Sequence, residues 1–165
     1  MEVDSRGMLP ASRFPARIPE EASALLFIDL DGALGALAAG GLGPEALWDA
    51  LRAEPAVAVV LMGERKSGET LGRLLGEWPE DLRGRVAGAT PDWGEPPDEA
   101  NRGRWGETQA LLKECGLEGA AHVIVDPMER CYPRVCKALF AWDEAAGIGP
   151  EEMAELAERL RKAAR

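Results

Sequence analysis

Short, wholly apolar runs alternate along this chain with stretches whose apolar residues recur every three or four positions. Residues 24–30, Ala-Leu-Leu-Phe-Ile-Asp-Leu, form the first run and end at Asp31-Gly32, as a strand buried on both faces ends at a turn. Residues 56–62, Ala-Val-Ala-Val-Val-Leu-Met, form the second, and 85–88, Arg-Val-Ala-Gly, a short third. Residues 122–126, His-Val-Ile-Val-Asp, and 137–142, Lys-Ala-Leu-Phe-Ala-Trp, form the fourth and fifth. Helical spacing fills the gaps. Over 44–53, Pro44 suits a first turn and Leu47, Trp48 and Leu51 share a face. Leu71, Leu74, Leu75 and Trp78 follow, stopped by Pro79. A helix is predicted from about 102 to 115, capped by Asn101 and stopped by Gly116. The last opens at Pro150, with acids early, bases late and Met153, Leu156, Leu160 and Ala164 as its buried stripe. The span between Gly32 and the strand at 56 is read as holding one helix.

This order predicts an α/β fold: a three-layer, Rossmann-like arrangement whose five-stranded, mainly parallel sheet is flanked by helices, with little or no cap. Residues 1–22 hold Pro10, Pro15 and Pro19 and no apolar segment of signal type, so they read as an irregular arm and not a targeting sequence. Residues 23–165 read as one domain. The loop at 89–101, with Pro91, Trp93, Gly94, Pro96 and Pro97, is the longest after the arm.

Composition narrows the function classes. The 165 residues are 46% hydrophobic and 29% charged, which suits a globular chain and not a disordered one. No apolar run is long enough to cross a membrane. A net charge of −10 argues against a surface built for nucleic acid. Three cysteines, Cys115, Cys131 and Cys136, suggest reduced thiols in a cytoplasm, and one histidine, His122, gives no zinc pattern. Trp48, Trp78, Trp105 and Trp142 read as core; Trp93 sits in the proline-rich loop.

In parallel sheets ligands bind beyond the carboxyl ends of the strands. The first strand ends in Asp29-Leu30-Asp31-Gly32, and two carboxylates two residues apart point to one side of a strand. The fourth ends in Asp126. If those strands are neighbours, three acids converge and repel, and a bound Mg²⁺ would remove that penalty.

At these residues the chain resembles the haloacid dehalogenase-like (HAD) superfamily. Leu25-Leu26-Phe27-Ile28-Asp29-Leu30-Asp31-Gly32-Ala33-Leu34 is similar to its first motif. Val59 to Arg65 resembles the second-motif segment, and Ala89-Thr90-Pro91 with Asn101 to Glu107 the third-motif region. Val123 to Asp126 resembles the strand leading to the acidic motif, and Trp142 to Ile148 the closing turn. The subgroup is similar to the HAD domain of Swiss-Army-Knife RNA repair proteins, over about residues 24–162.

The resemblance implies a small Mg²⁺-dependent phosphohydrolase acting through an aspartyl-phosphate. Asp29 would be the nucleophile and Asp31 the general acid and base. Mg²⁺ would sit on Asp29, the main-chain carbonyl of Asp31, and Asp126. Gly63, Arg65, Arg102 and Arg104 would hold the phosphate. The substrate would be a phosphorylated molecule; nucleic-acid ends fit an open site but are disfavoured by the net charge. The chain departs from the motifs at three places. Met62 and Gly63 replace a hydroxyl residue, with Ser67 and Thr70 as nearby substitutes. Asp126-Pro127 replaces an acid pair, with Glu129 close by, and Ala33 replaces Thr or Val. These departures motivate a second reading, a non-catalytic HAD-like domain that binds a ligand or partner protein. A phospho-receiver domain is a third, weaker reading.

Overall fold

The computed structural model of the chain describes residues 9–92 and 103–165. Five strands form one sheet: β1 (Ala24–Ile28), β2 (Val57–Leu61), β3 (Val86–Ala89), β4 (His122–Val125) and β5 (Leu139–Phe140). Their order is β3-β2-β1-β4-β5, and every neighbouring pair is parallel. All five residues of β1 and all five of β2 are buried, because helices cover both faces of the central strands.

The two faces build separate cores. Leu26 and Ile28 of β1 pack with α2 (Glu45–Ala53) and α5 (Pro150–Ala163), through Leu47, Leu51, Leu156 and Leu160. Leu25 and Phe27 face the other way, onto Leu111 and Leu112 of α4 (Arg104–Glu114) and onto Tyr132. Each fully buried Leu, Ile or Phe contributes ~1.5–3 kcal/mol to this three-layer, Rossmann-like arrangement.

The sequence reading differs from the structure in the first crossover. The span between β1 and β2 holds two helices, α1 (Leu30–Ala39) and α2, not one. Helix α1 buries Leu30, Ala33, Ala36 and Leu37 in the same core as α2, so the segment belongs to a layer of the domain. The helix at 71–78 is shorter than predicted: α3 spans Leu71–Leu75, and Trp78 follows it, packed on Trp48 at 4.8 Å. Strand β5 keeps only the two residues that pair with Ile124 and Val125. Asn101, the expected cap of α4, and Trp93 lie outside the described residues.

The described part of the N-terminal arm lies along the edge of the sheet. Pro10 forms an antiparallel bridge with Thr70, Arg17 N–H donates to Ala87 O, and Ala11 and Ser12 are buried. Ala16 comes so near Gly88 that a Cβ there would lie 2.9 Å from the Ala16 Cα. The arm thus covers β3, an edge strand that would otherwise expose its pairing groups. No helix among the described residues is long and apolar enough to cross a membrane.

Candidate functional site

Parallel pairing of β1 with β4 sets the site. Ile28 lies opposite Val125, and the ladder continues one step further, since Asp29 N–H donates to Val125 O. Asp29 and Asp126 therefore leave the carboxyl edge of the sheet side by side. Asp29 caps α1, its Oδ1 accepting from Gly32 N–H at 3.2 Å.

Arg104, the first residue of α4, joins the two acids. Its Nη1 donates to Asp29 Oδ2 at 2.9 Å and to Asp126 Oδ1 at 2.7 Å. The Asp126 side chain has 0% exposure, against 15% for Asp29 and 14% for Arg104. The Tyr132 hydroxyl donates to Asp126 Oδ2 at 2.7 Å, and Met128 N–H donates to Oδ1 at 2.9 Å. Burial pushes the Arg104 pKa down, but the charges of Asp126 and Asp29 and the hydrogen bond to Asp29 outweigh it, and the net shift is upward. Burial first, and then the charge of Asp126, push the Tyr132 phenol far above its ordinary value. The hydroxyl thus stays protonated and serves as a donor.

Asp31 does not join this pair through its side chain. The strand ends at Ile28 and the chain turns into α1 at Leu30, so the alternation of a strand no longer governs residue 31. Its carboxylate, 57% exposed, instead accepts from Arg65 Nη1 at 3.0 Å. Arg65, expected to hold phosphate, spends its guanidinium on acids: Glu69 takes Nε, while Glu77 takes Nη1 and Nη2 at 2.7 and 2.8 Å. Those hydrogen bonds, the ones to Glu77 foremost, raise its pKa.

Gly63 lies against Asp29, with φ +101; a Cβ added there would lie 3.2 Å from Asp29 Cγ. Met62 is buried and reaches the other core, its Sδ 3.8 Å from the Tyr132 hydroxyl. Neither substitute hydroxyl serves Asp29: Ser67 Oγ donates to Asp92, and Thr70 Oγ1 caps α3. Glu129 is exposed on the turn Glu129–Cys131. Arg102 lies outside the described residues. The hollow beside Asp29 offers about 30 Å³, room for one or two waters.

Sequence reading missed a second polar cluster. Lys66 is 2% exposed, with Nζ 3.0 Å from Asp92 Oδ1 and 3.4 Å from Glu107 Oε2. Asp92 also accepts from Ser12 Oγ at 2.8 Å, which fastens the N-terminal arm to the loop after β3. Glu107 follows Arg104 by one helical turn and accepts from the buried Thr90 hydroxyl at 3.4 Å. The spacing of Arg104 and Glu107 was visible in sequence; the partners on other elements were not.

The donor set does not fit the Mg²⁺ that the resemblance implies. Both oxygens of Asp126 already accept hydrogen bonds, one of them two, and Arg104 supplies the positive charge that the converging acids require. Among the described residues no three His, Cys, Asp or Glu side chains are grouped as a metal site.

His122 lies away from this site, its Nδ1 2.9 Å from Ala120 O and its ring edge-on to Phe27. Comparison of the chain with protein-family models, with curated proteins and with solved structures finds no match.

Proposed function

We propose that this chain is a HAD-like domain that binds a ligand or partner protein and does not transfer phosphate. One observation carries the reading: Arg104 Nη1 bridges Asp29 and Asp126, while Tyr132 and Met128 N–H complete the hydrogen bonding of Asp126. A buried carboxylate needs a counter-charge and a donor for each oxygen, and here the chain supplies all of them itself. The hydrogen bonds from Arg65 to Asp31, Glu69 and Glu77 support the same reading, since they occupy the groups that the resemblance assigns to proton transfer and phosphate.

The competing reading, a phosphohydrolase with Asp29 as nucleophile, is favoured by one observation: the third-motif arginine Arg104 does reach Asp29. A phosphomonoester hydrolysis assay with millimolar Mg²⁺ separates the two. The binding-domain reading expects no turnover above background and no difference between the native chain and Asp29→Asn. Turnover that Asp29→Asn abolishes would establish the phosphohydrolase instead.

A further inference from the structure

The loop between β4 and β5 leaves the sheet at Asp126, and Tyr132, 1% exposed, ties it back to that residue. Around this anchor the loop presents Arg130, Arg134, Val135 and Lys137 to solvent. The chain as a whole carries a charge of −10, yet this segment exposes three cations against the single exposed acid Glu129.

These cations are also unspent. Arg52, Arg65, Arg104, Arg159 and Arg161 are engaged by carboxylates. Arg130, Arg134 and Lys137 have neither an ion pair nor a side-chain hydrogen bond among the described residues. Arg130 and Arg134 line one open hollow of about 530 Å³ with Glu129, Tyr132 and Pro133. Val135 beside them is 81% exposed, against 41% for Leu9, the other exposed large apolar side chain among the described residues.

We propose that this loop docks an acidic peptide segment of a partner protein, its carboxylates meeting Arg130, Arg134 and Lys137 and an apolar side chain meeting Val135. The proposal deepens the reading of the chain as a binding domain and rests on it. The buried Arg104–Asp126–Tyr132 network then acts as the foundation of the docking loop, holding it ordered before the partner arrives. Charge complementarity favours an acidic partner. A peptide suits the surface better than nucleic acid for two reasons. The net charge repels a long polyanion, and Tyr132, the aromatic ring of the loop, is buried and presents no stacking face.

Fluorescence anisotropy of the full chain tests this with a labelled peptide of alternating Asp, Glu and Leu, its Asn, Gln and Leu counterpart, and a single-stranded oligonucleotide of equal charge. The acidic peptide should bind, weaken as salt rises, and lose roughly tenfold in affinity in the Arg130→Gln/Arg134→Gln/Lys137→Gln variant. Val135→Ser should weaken it further, with thermal unfolding of both variants near native. No binding of the acidic peptide, equal binding of its neutral counterpart, tighter binding of the oligonucleotide, or affinity unchanged in the triple variant would each overturn the proposal. So would self-association of the native chain that the triple variant abolishes, which would make a second copy the occupant. Asp29-dependent hydrolysis of phosphomonoesters is a separate result, and it would overturn the binding-domain reading whatever the peptide does.

Discussion

Arg104 Nη1 lies 2.7 Å from Oδ1 of Asp126, a carboxylate with no solvent exposure, and the same nitrogen reaches Asp29 at 2.9 Å. One guanidinium thus closes two strand ends against each other. Arg104→Ala should leave Asp126 buried without a counter-charge and destabilise the fold by about 3–5 kcal/mol, read by urea unfolding. Arg104→Lys should recover part of that loss, because an ammonium restores the charge at a different reach.

Tyr132→Phe keeps the ring, which packs edge-on to Trp105 at 6.3 Å, and removes the hydroxyl that donates to Asp126 Oδ2. A hydrogen bond to a charged acceptor contributes ~1.5–3 kcal/mol, and that loss is the expected result in the same unfolding measurement. An unchanged midpoint would mean that the hydroxyl does not support the carboxylate.

Gly63→Ser, which adds the hydroxyl that the HAD resemblance implies at this segment, should harm the fold. The backbone there has φ +101, and the new Cβ would press on Asp29 Cγ. The strain should cost about 1–3 kcal/mol, again read by urea unfolding.

The strands were legible because burial on both faces leaves nearly unbroken apolar runs, as at 24–28 and 57–61. Helix α1 was not, since Asp31-Gly32 reads as a turn and its buried stripe includes the small residues Ala33 and Ala36. Asp29 and Asp126 were legible as strand-end residues, and Arg104 through the resemblance over 101–107; the structure brings the three together. The side-chain direction of Asp31 was misjudged because its strand ends three residues earlier. Tyr132 and Lys66 went unnoticed for a different reason. Their roles depend on partners that the topology brings close: a loop folded back on Asp126, and the meeting of Ser12, Lys66 and Asp92. For Arg65, Glu69 at i+4 was the available signal.

The Asp92 cluster predicts a pH dependence. Burial works to raise the Asp92 pKa, but hydrogen bonds from Ser67, Ser12 and Lys66 and the Lys66 charge outweigh it, holding the carboxyl at about 2. An unfolded Asp titrates at ~3.9, so its stabilising contribution is fully present above that pH and is lost as pH falls toward about 2. Asp92 is half exposed, and solvent screening keeps the effect small. Asp92→Asn should flatten the stability profile in that acid window and release the arm at Ser12, seen as faster amide exchange at residues 11–14.

Thermal unfolding of the native chain with and without millimolar Mg²⁺ shows whether Arg104 takes the place of a cation between Asp29 and Asp126. A cation bound only by the folded state would raise the midpoint as its concentration rises. Arg104 already fills the place between Asp29 and Asp126 and offsets one of their two charges, so the midpoint should be the same in Mg²⁺ as in a matched monovalent salt. A Mg²⁺-dependent rise that disappears in Asp29→Ala would contradict it.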